Sequence, residues 1–254
     1  MDASEIREFL EFAVDAAVEA GKITMDYFLE SLDIDIKTDD TPVTEADREA
    51  EKYIRERLEA VYPTHSILGE EGGAKEREAD FRWIIDPIDG TQSFIRGVPL
   101  YTVLIALEMK GEPLLGVIHN PPLQETVAAG IGFGCFYNGN PCQVSSTSKL
   151  ERAWVQVTDY ADLFRRRPRF ATHLLENTYS CRTWGDAYGY LLVATGRVDV
   201  MIDPIMKVWD IAPLKPIITE SKGVFTDLNG SPNAMGDSSI ACNEILHRQI
   251  MQLM

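Results

Sequence analysis

The chain has 254 residues, with 24 basic against 40 acidic side chains and a formal charge of −16 at pH 7. Nearly half of it is apolar and a quarter is charged, the composition of a well-cored globular protein with one large domain or two small ones. Such an acid excess repels phosphate backbones and anionic headgroups and argues against nucleic acid and membranes as partners. No run approaches the ~20 apolar residues of a membrane helix. Met1 to Glu8 carry acids where a secretory leader carries bases and then an apolar core, so cytoplasmic residence is expected.

Ile6, Phe9, Leu10, Ala13, Val14 and Ala17 recur at helical spacing and predict an amphipathic helix over about the first 29 residues. A second helix is expected from Thr44, with Ala46, Ala50, Tyr53, Ile54, Leu58 and Val61 carrying its pattern. Between Ile67 and Val157 the pattern turns to strands: Trp83-Ile84-Ile85, Val103 to Met109, Leu115 to Ile118 and Thr126 to Ala129. Turns are signalled at Lys110-Gly111, Pro121-Pro122 and Asn138-Gly139. Beyond Ala153 the elements alternate: a strand to Val157, a helix around Leu163, a strand near Tyr179, a helix from Gly185 to Thr195, a strand from Val198 to Ile202 and a helix after Asp210. This rhythm builds α/β layers in which helices cover sheets. No repeat, low-complexity run or long linker interrupts it, so two halves, 1–145 and 146–254, are expected to pack as one unit.

Several familiar chemistries are missing. Cys135, Cys142, Cys181 and Cys242 form no C-x-x-C pair and read as buried free thiols, and the four histidines form no H-E-x-x-H motif, which disfavours a zinc hydrolase. Gly130, Gly132 and Gly134 resemble a dinucleotide loop, but Cys135 stands where the third glycine belongs and the segment lies among hairpins. Nothing matches a Walker lysine. Arg165, Arg166, Arg167 and Arg169, the one basic cluster, read as a solvated helix end.

Chemistry concentrates in Trp83-Ile84-Ile85-Asp86-Pro87-Ile88-Asp89-Gly90-Thr91. An apolar strand runs into two carboxylates, with Pro87 fixing a turn between them and Gly90 allowing close backbone approach. Two acids aimed at one spot repel each other unless a hard cation lies between them, and an all-oxygen set suits magnesium. The Ile88 carbonyl is a further candidate ligand. A short helix from Thr91 would turn free N–H groups to the same place, where they could hold a phosphate. Three more segments deliver acids at element boundaries: Val43-Thr44-Glu45-Ala46-Asp47, Leu68-Gly69-Glu70-Glu71-Gly72-Gly73 and Val208-Trp209-Asp210. Each also has a plain structural explanation: Asp47 completes a Thr-x-x-Asp capping box, Asp210 is an N-cap, and Glu70-Glu71 is an exposed turn.

In order and spacing, Val43 to Asp47, Gly69-Glu70-Glu71, Asp86 to Thr91 and Trp209-Asp210-Ile211-Ala212 resemble the inositol monophosphatase family of magnesium-dependent phosphatases. The likeness covers nearly the whole chain, including Leu192-Val193-Ala194-Thr195-Gly196-Arg197 and Glu220-Ser221-Lys222-Gly223-Val224. It implies an α/β (α+β) fold, the layered αβαβα sandwich shared with fructose-1,6-bisphosphatase, and a homodimer acting on a small phosphorylated metabolite. It further implies that Glu70, Asp86 and the Ile88 carbonyl hold one Mg2+, that Asp86, Asp89 and Asp210 hold a second, and that Glu70 reaches a weaker third. The N–H groups of Gly90 and Thr91 would bind phosphate. The Thr91 hydroxyl, paired with Asp47, would orient the attacking water, which with Glu70 completes the implied catalytic set.

Substrate choice is expected to lie in Arg182-Thr183-Trp184-Gly185-Asp186-Ala187-Tyr188-Gly189-Tyr190. Inositol phosphatases usually carry a small residue in place of Asp186, and Asp203 stands where they often use an acid to contact sugar hydroxyls. Two carboxylates facing the leaving group suit a cationic one, so Gly185, Asp186 and Asp203 are the candidate substrate residues. Together with Gly90 to Pro99 and Leu104-Ile105-Ala106-Leu107, this looks like the histidinol-phosphate phosphatase branch, whose substrate carries an ammonium and an imidazole. Alternatives stay open. Asp186 could serve only the helix dipole, and Trp184 could pack in the core or line the pocket. The enzyme could be an inositol or broad sugar-phosphate monophosphatase, fructose-1,6-bisphosphatase activity included. A structural cation-binding protein is the non-enzymatic reading, against which the Thr91 and Asp47 pair argues.

Overall fold

The computed structural model describes residues 3–30, 34–36, 42–232 and 236–254; Met1 and Asp2, at the head of the first predicted helix, lie outside them. Helix α1 (Ala3–Tyr27) turns Leu10, Ala13, Ala17 and Ala20 toward the core. Strand β1 (Asp35–Ile36) pairs antiparallel with β2 (Pro42–Val43), and α2 (Glu45–Val61) adds Ala50, Ile54 and Leu58 to the same core as α1. There follow β3 (Ser66–Gly69), β4 (Gly73–Lys75), β5 (Phe81–Asp89) and the single-turn α3 (Thr91–Phe94). The meander β6 (Thr102–Met109), β7 (Glu112–Asn120), β8 (Glu125–Gly130), β9 (Gly134–Tyr137) and β10 (Asn140–Pro141) completes the first half. Strands β3 to β10 form one eight-stranded sheet in the order β10-β9-β8-β7-β6-β5-β3-β4, antiparallel except where β3 runs beside β5. Lys110-Gly111 and Asn138-Gly139 close hairpins with all four φ angles positive, as two-residue turns between twisted strands require.

The second half has β11 (Trp154–Val157), α4 (Tyr160–Arg166), α5 (Pro168–Asn177), β12 (Ser180–Arg182), α6 (Asp186–Ala194) and β13 (Val200–Asp203). It ends with α7 (Val208–Glu220), β14 (Val224–Thr226), β15 (Ser239–Cys242) and α8 (Glu244–Met251). Its five-stranded sheet has the order β12-β11-β13-β15-β14.

Strand alternation fixes the layering. On β6, Val103, Ile105 and Leu107 face α1 and α2, while Leu104 faces α6 and α7. On β13, Met201 joins that same α6–α7 core, whereas Val200 and Ile202 turn outward to α4, α5 and α8. The result is the expected αβαβα sandwich, with α6 and α7 as the filling between two sheets. No helix among the described residues is long and apolar enough to cross a membrane.

Several local expectations change. Asp86 to Asp89 form no turn: they continue β5, and its register against β6 shifts between Asp86 and Asp89. Pro87 cannot donate to the ladder, and the bulge accommodates it. The helix expected after Asp210 begins at Val208, so Asp210 is its third residue and not its N-cap. The helix around Leu163 is two helices, broken where Pro168 starts α5 at a position that needs no N–H. The arginine cluster lies at that break and does more than meet solvent. Arg166 donates to the Pro204 carbonyl (2.6 Å) and to Asp237, and Arg167 donates to Asn229. Strands β14 and β15 and helix α8 add to the expected series. All four cysteines are free, but Cys142 and Cys181 are only half-buried. The glycine run 130–134 is the bend between β8 and β9, where the Glu220 carboxylate accepts the Gly132 and Gly134 N–H groups at 2.8 and 3.0 Å.

Helix α7 seats on the larger sheet through one glycine. A Cβ at Gly116 would lie 2.0 Å from the Pro213 carbonyl oxygen and 2.6 Å from its Cα, both backbone atoms that cannot swing aside. Gly116→Ala should therefore push α7 off β7 and lower stability by about 1–3 kcal/mol, the usual cost of overpacking. Thermal unfolding measures this as a drop of several degrees; an unchanged melting temperature would contradict so tight a seat.

Candidate active site

The bulge in β5 creates the site. Residues three apart on a regular strand point to opposite faces; the shift between Asp86 and Asp89 brings both carboxylates to one side. Asp86 is 2% exposed and accepts the Ile88 N–H at 3.0 Å, which folds the bulge onto its own side chain. Asp89 accepts the Thr102 hydroxyl from β6 (3.1 Å) and the Ala187 N–H from the start of α6 (2.7 Å). From the other half, Asp210 accepts the Lys207 N–H at 2.7 Å in the first turn of α7. Ligand oxygens of Asp86, Asp89 and Asp210 lie within 4.8 Å of one another.

Burial, followed by mutual repulsion, lifts these carboxyls. Asp86 is held well above the ordinary range by burial, then by Glu70, Asp89 and Asp210. Asp89 rises through burial, then Asp186 and Asp210. Asp210 is pushed up to about 7 by burial, with the Lys207 N–H opposing. Among the described residues no lysine or arginine pairs with any of the three. A dense, oxygen-only cluster, with Asp86 buried, Asp89 and Asp210 half-buried and no balancing side chain among the described residues, fits a hard divalent cation.

These acids open on a cleft of about 290 Å³ whose wall includes Glu70, Asp86, Ile88, Asp89, Gly90, Thr91 and Asp210. Glu70 sits in the turn between β3 and β4; its N–H donates to the Ile85 carbonyl at 3.2 Å and its side chain meets Asp86. Gly90 takes a left-handed backbone (φ +81°) and starts α3, and the Thr91 hydroxyl donates to the Ile88 carbonyl at 3.1 Å. Asp47, in the first turn of α2, is buried, and its Oδ2 accepts the Thr44 N–H and hydroxyl at 2.8 and 2.6 Å, the expected capping contact. It does not line the cleft.

The three substrate candidates separate. Asp186 lies over Gly90, where a Cβ would come within 2.9 Å of its Oδ2, and 3.5 Å from the Ser93 hydroxyl. Burial raises its carboxyl to about 6, with Ser93 opposing. Asp186 also borders a neighbouring cavity of about 640 Å³ with Gln92, Arg96, Tyr160 and Trp184, which places the half-exposed Trp184 in a pocket wall and not in the core. Gly185 lines neither cavity: a Cβ there would lie 2.5 Å from Met201 Cε, and Gly189 one turn later is as tight, so both let α6 settle on the smaller sheet. Asp203 lines neither as well. Its oxygens accept the Thr158 hydroxyl (2.8 Å) and the Ile205 N–H (3.1 Å), and burial raises it to about 8.

Two features had no sequence signal. Trp184 and Asp186 both have positive φ, +66° and +38°, which strains non-glycine residues and clusters at functional sites. The α6 N-terminus also reaches across the two halves to hold Asp89.

The inositol monophosphatase family profile matches residues 5–254. Among curated proteins, the chain is 42% identical over 245 residues to a histidinol-phosphatase of Chlorobaculum parvum, covering 95% of each chain. It is 35% identical over 213 residues to a fructose-1,6-bisphosphatase/inositol-1-monophosphatase of Thermotoga maritima, covering 83% of this chain and 81% of that one. Among solved structures, the extragenic suppressor protein suhB of Bartonella henselae superposes with a TM-score of 0.92 at 28% identity, covering 97% of this chain and 98% of that one. With a match that runs from residue 5 to the last and a fold shared in every layer, the chain belongs to the inositol monophosphatase family.

Proposed function

We propose that the protein is a magnesium-dependent phosphate monoester hydrolase that converts L-histidinol phosphate and water to L-histidinol and phosphate. The observation that carries this reading is the meeting of Asp86, Asp89 and Asp210 beside Gly90 and Thr91 in one cleft. Glu70, Asp86, the Ile88 carbonyl, Asp89 and Asp210 would hold the two or three cations. Bound there, magnesium lowers the pKa of a water and offsets charge on the phosphoryl and leaving oxygens. The chain's own part is placement. The first N–H groups of a helix have no partner within it, so the left-handed Gly90 at the head of α3 turns donors toward the phosphate. Thr91, together with Asp47 from the first turn of α2, would orient the water for in-line attack. The same reading includes a homodimer in the cytoplasm.

Asp186 supports the choice of ester. It sets a carboxyl against the Gly90 turn, and a leaving group that carries an ammonium pairs with it and favours its charged form where a neutral polyol does not. Gly185 and Asp203 support it from behind, one by letting α6 approach and the other by holding the Thr158 hydroxyl and the Ile205 N–H. The relative named histidinol-phosphatase points the same way.

Asp89→Asn should fold normally and lose turnover, and chelation of the unmodified enzyme should stop phosphate release until Mg2+ is returned; full magnesium-dependent activity in Asp89→Asn sinks the assignment. Asp186→Ser should lower kcat/KM for histidinol phosphate by one to two decades, the effect of a charge-assisted hydrogen bond of roughly 1.5–3 kcal/mol, while barely changing inositol-1-phosphate hydrolysis. Faster hydrolysis of the inositol ester by the unmodified protein overturns the substrate.

A further inference from the structure

Outside the cleft, Glu51, one turn along α2 from Asp47 and 2% exposed, is a buried acid with both carboxylate oxygens engaged. Its Oε2 accepts the Glu71 N–H at 2.7 Å, and its Oε1 accepts the Gly72 N–H at 2.8 Å and Arg55 Nε at 2.6 Å. Arg55, itself only 16% exposed at the side chain, donates onward to the Gly73 carbonyl. The target of this brace is the three-residue loop Glu70-Glu71-Gly72, closed by the pairing of Gly69 with Gly73. The glycines are cut to the carboxylate: a Cβ at Gly69 would lie 2.3 Å from Glu51 Oε1, and one at Gly72 would lie 2.7 Å from it. On the far side, the Glu70 N–H is tied to Ile85 of β5, next to Asp86.

We infer that Glu51, held by Arg55, is a positioning residue that sets Glu70 for cation binding. The inference rests on the proposed function of the cleft. A loop of three residues does little to fix its own backbone, and the direction of that backbone sets where the Glu70 side chain meets Asp86. Two charge-assisted bonds from consecutive N–H groups fix the loop's backbone, so the Glu70 side chain leaves it in one direction. Because α2 also carries Asp47, a single helix sets both the water-orienting acid and the Glu70 loop. A purely structural brace would leave cation affinity alone and change only stability.

The test uses the full chain stripped of metal by chelation, with Mn2+ binding followed by electron paramagnetic resonance and amide exchange read over residues 69–73. Glu51→Gln keeps the volume but turns an amide N–H₂ against a donor. It should weaken Mn2+ binding by about tenfold or more and speed exchange at Glu71 and Gly72, with turnover recovered by raising Mg2+. Arg55→Lys, which loses the fork to Gly73, should show a smaller loss of the same kind, and it carries the test if Glu51→Gln does not fold. Mn2+ affinity within about twofold of the unmodified protein in the folded variant overturns the inference while leaving the cleft's assignment intact. An unmodified protein that binds no Mn2+ sinks both.

Discussion

Like charges held together at the seam between two sheets set the terms for the rest of this molecule. At a separation near 5 Å and an effective dielectric of ~20, each pair of ionised carboxylates costs about 3 kcal/mol, a large share of the 5–15 kcal/mol that typically separates a folded domain from its unfolded chain. Asp86, Asp89 and Asp210 come within 4.8 Å of one another, and among the described residues uncharged donors such as the Ile88, Ala187 and Lys207 N–H groups reach them but no lysine or arginine side chain does. Protons or cations must supply the missing positive charge. The carboxyl of Asp210, raised to about 7, shows the proton's share of that balance, and a divalent cation competes with the proton for the same oxygens.

Holding such a cluster requires rigid supports from both halves. The eight-stranded sheet contributes the bulged β5, and α7 brings Asp210 from the other side of the sandwich. Close backbone contacts fix the relation between them. Gly116 lets β7 touch Pro213 of α7, and Gly185 and Gly189 let α6 rest on Met201 of the smaller sheet. Helix α6 then returns to the first half by donating the Ala187 N–H to Asp89. The site is thus an interface, and its geometry depends on contacts as far away as Gly116.

Much of this was legible in the residues, for identifiable reasons. Val103 to Met109 alternates between two buried faces and is bounded by a Lys-Gly turn, so its strand follows from pattern alone. The acids of the cleft follow from motif order. Pro87 misleads, because a proline between two aspartates signals a turn, and only the partner strands on both sides make it a bulge. Asp203 and Gly185 line neither cavity for a related reason: place in the sequence does not say whether a residue meets a cleft or packed interior, and both meet packed interior. Nothing in the letters Trp184 or Asp186 announces left-handed backbone, which the junction of β12 with α6 imposes.

Asp186 packs directly against the Gly90 turn. Its Oδ2 would lie 2.9 Å from any Cβ at residue 90, so Gly90 is required twice, for its positive φ and for the space that Asp186 fills. A small residue at 186, as inositol phosphatases usually carry, would vacate that space above the Gly90 turn. On the proposed reading, an acid there would both narrow the cleft and set a carboxylate near the ester oxygen. With cations held by the cleft's acids the phosphate would meet positive charge, and beyond Gly90 the leaving group would meet a carboxylate. The ester that would satisfy both fields is dianionic at one end and cationic at the other, so a chain of −16 charge, repulsive to phosphate at long range, would select a zwitterionic one at contact.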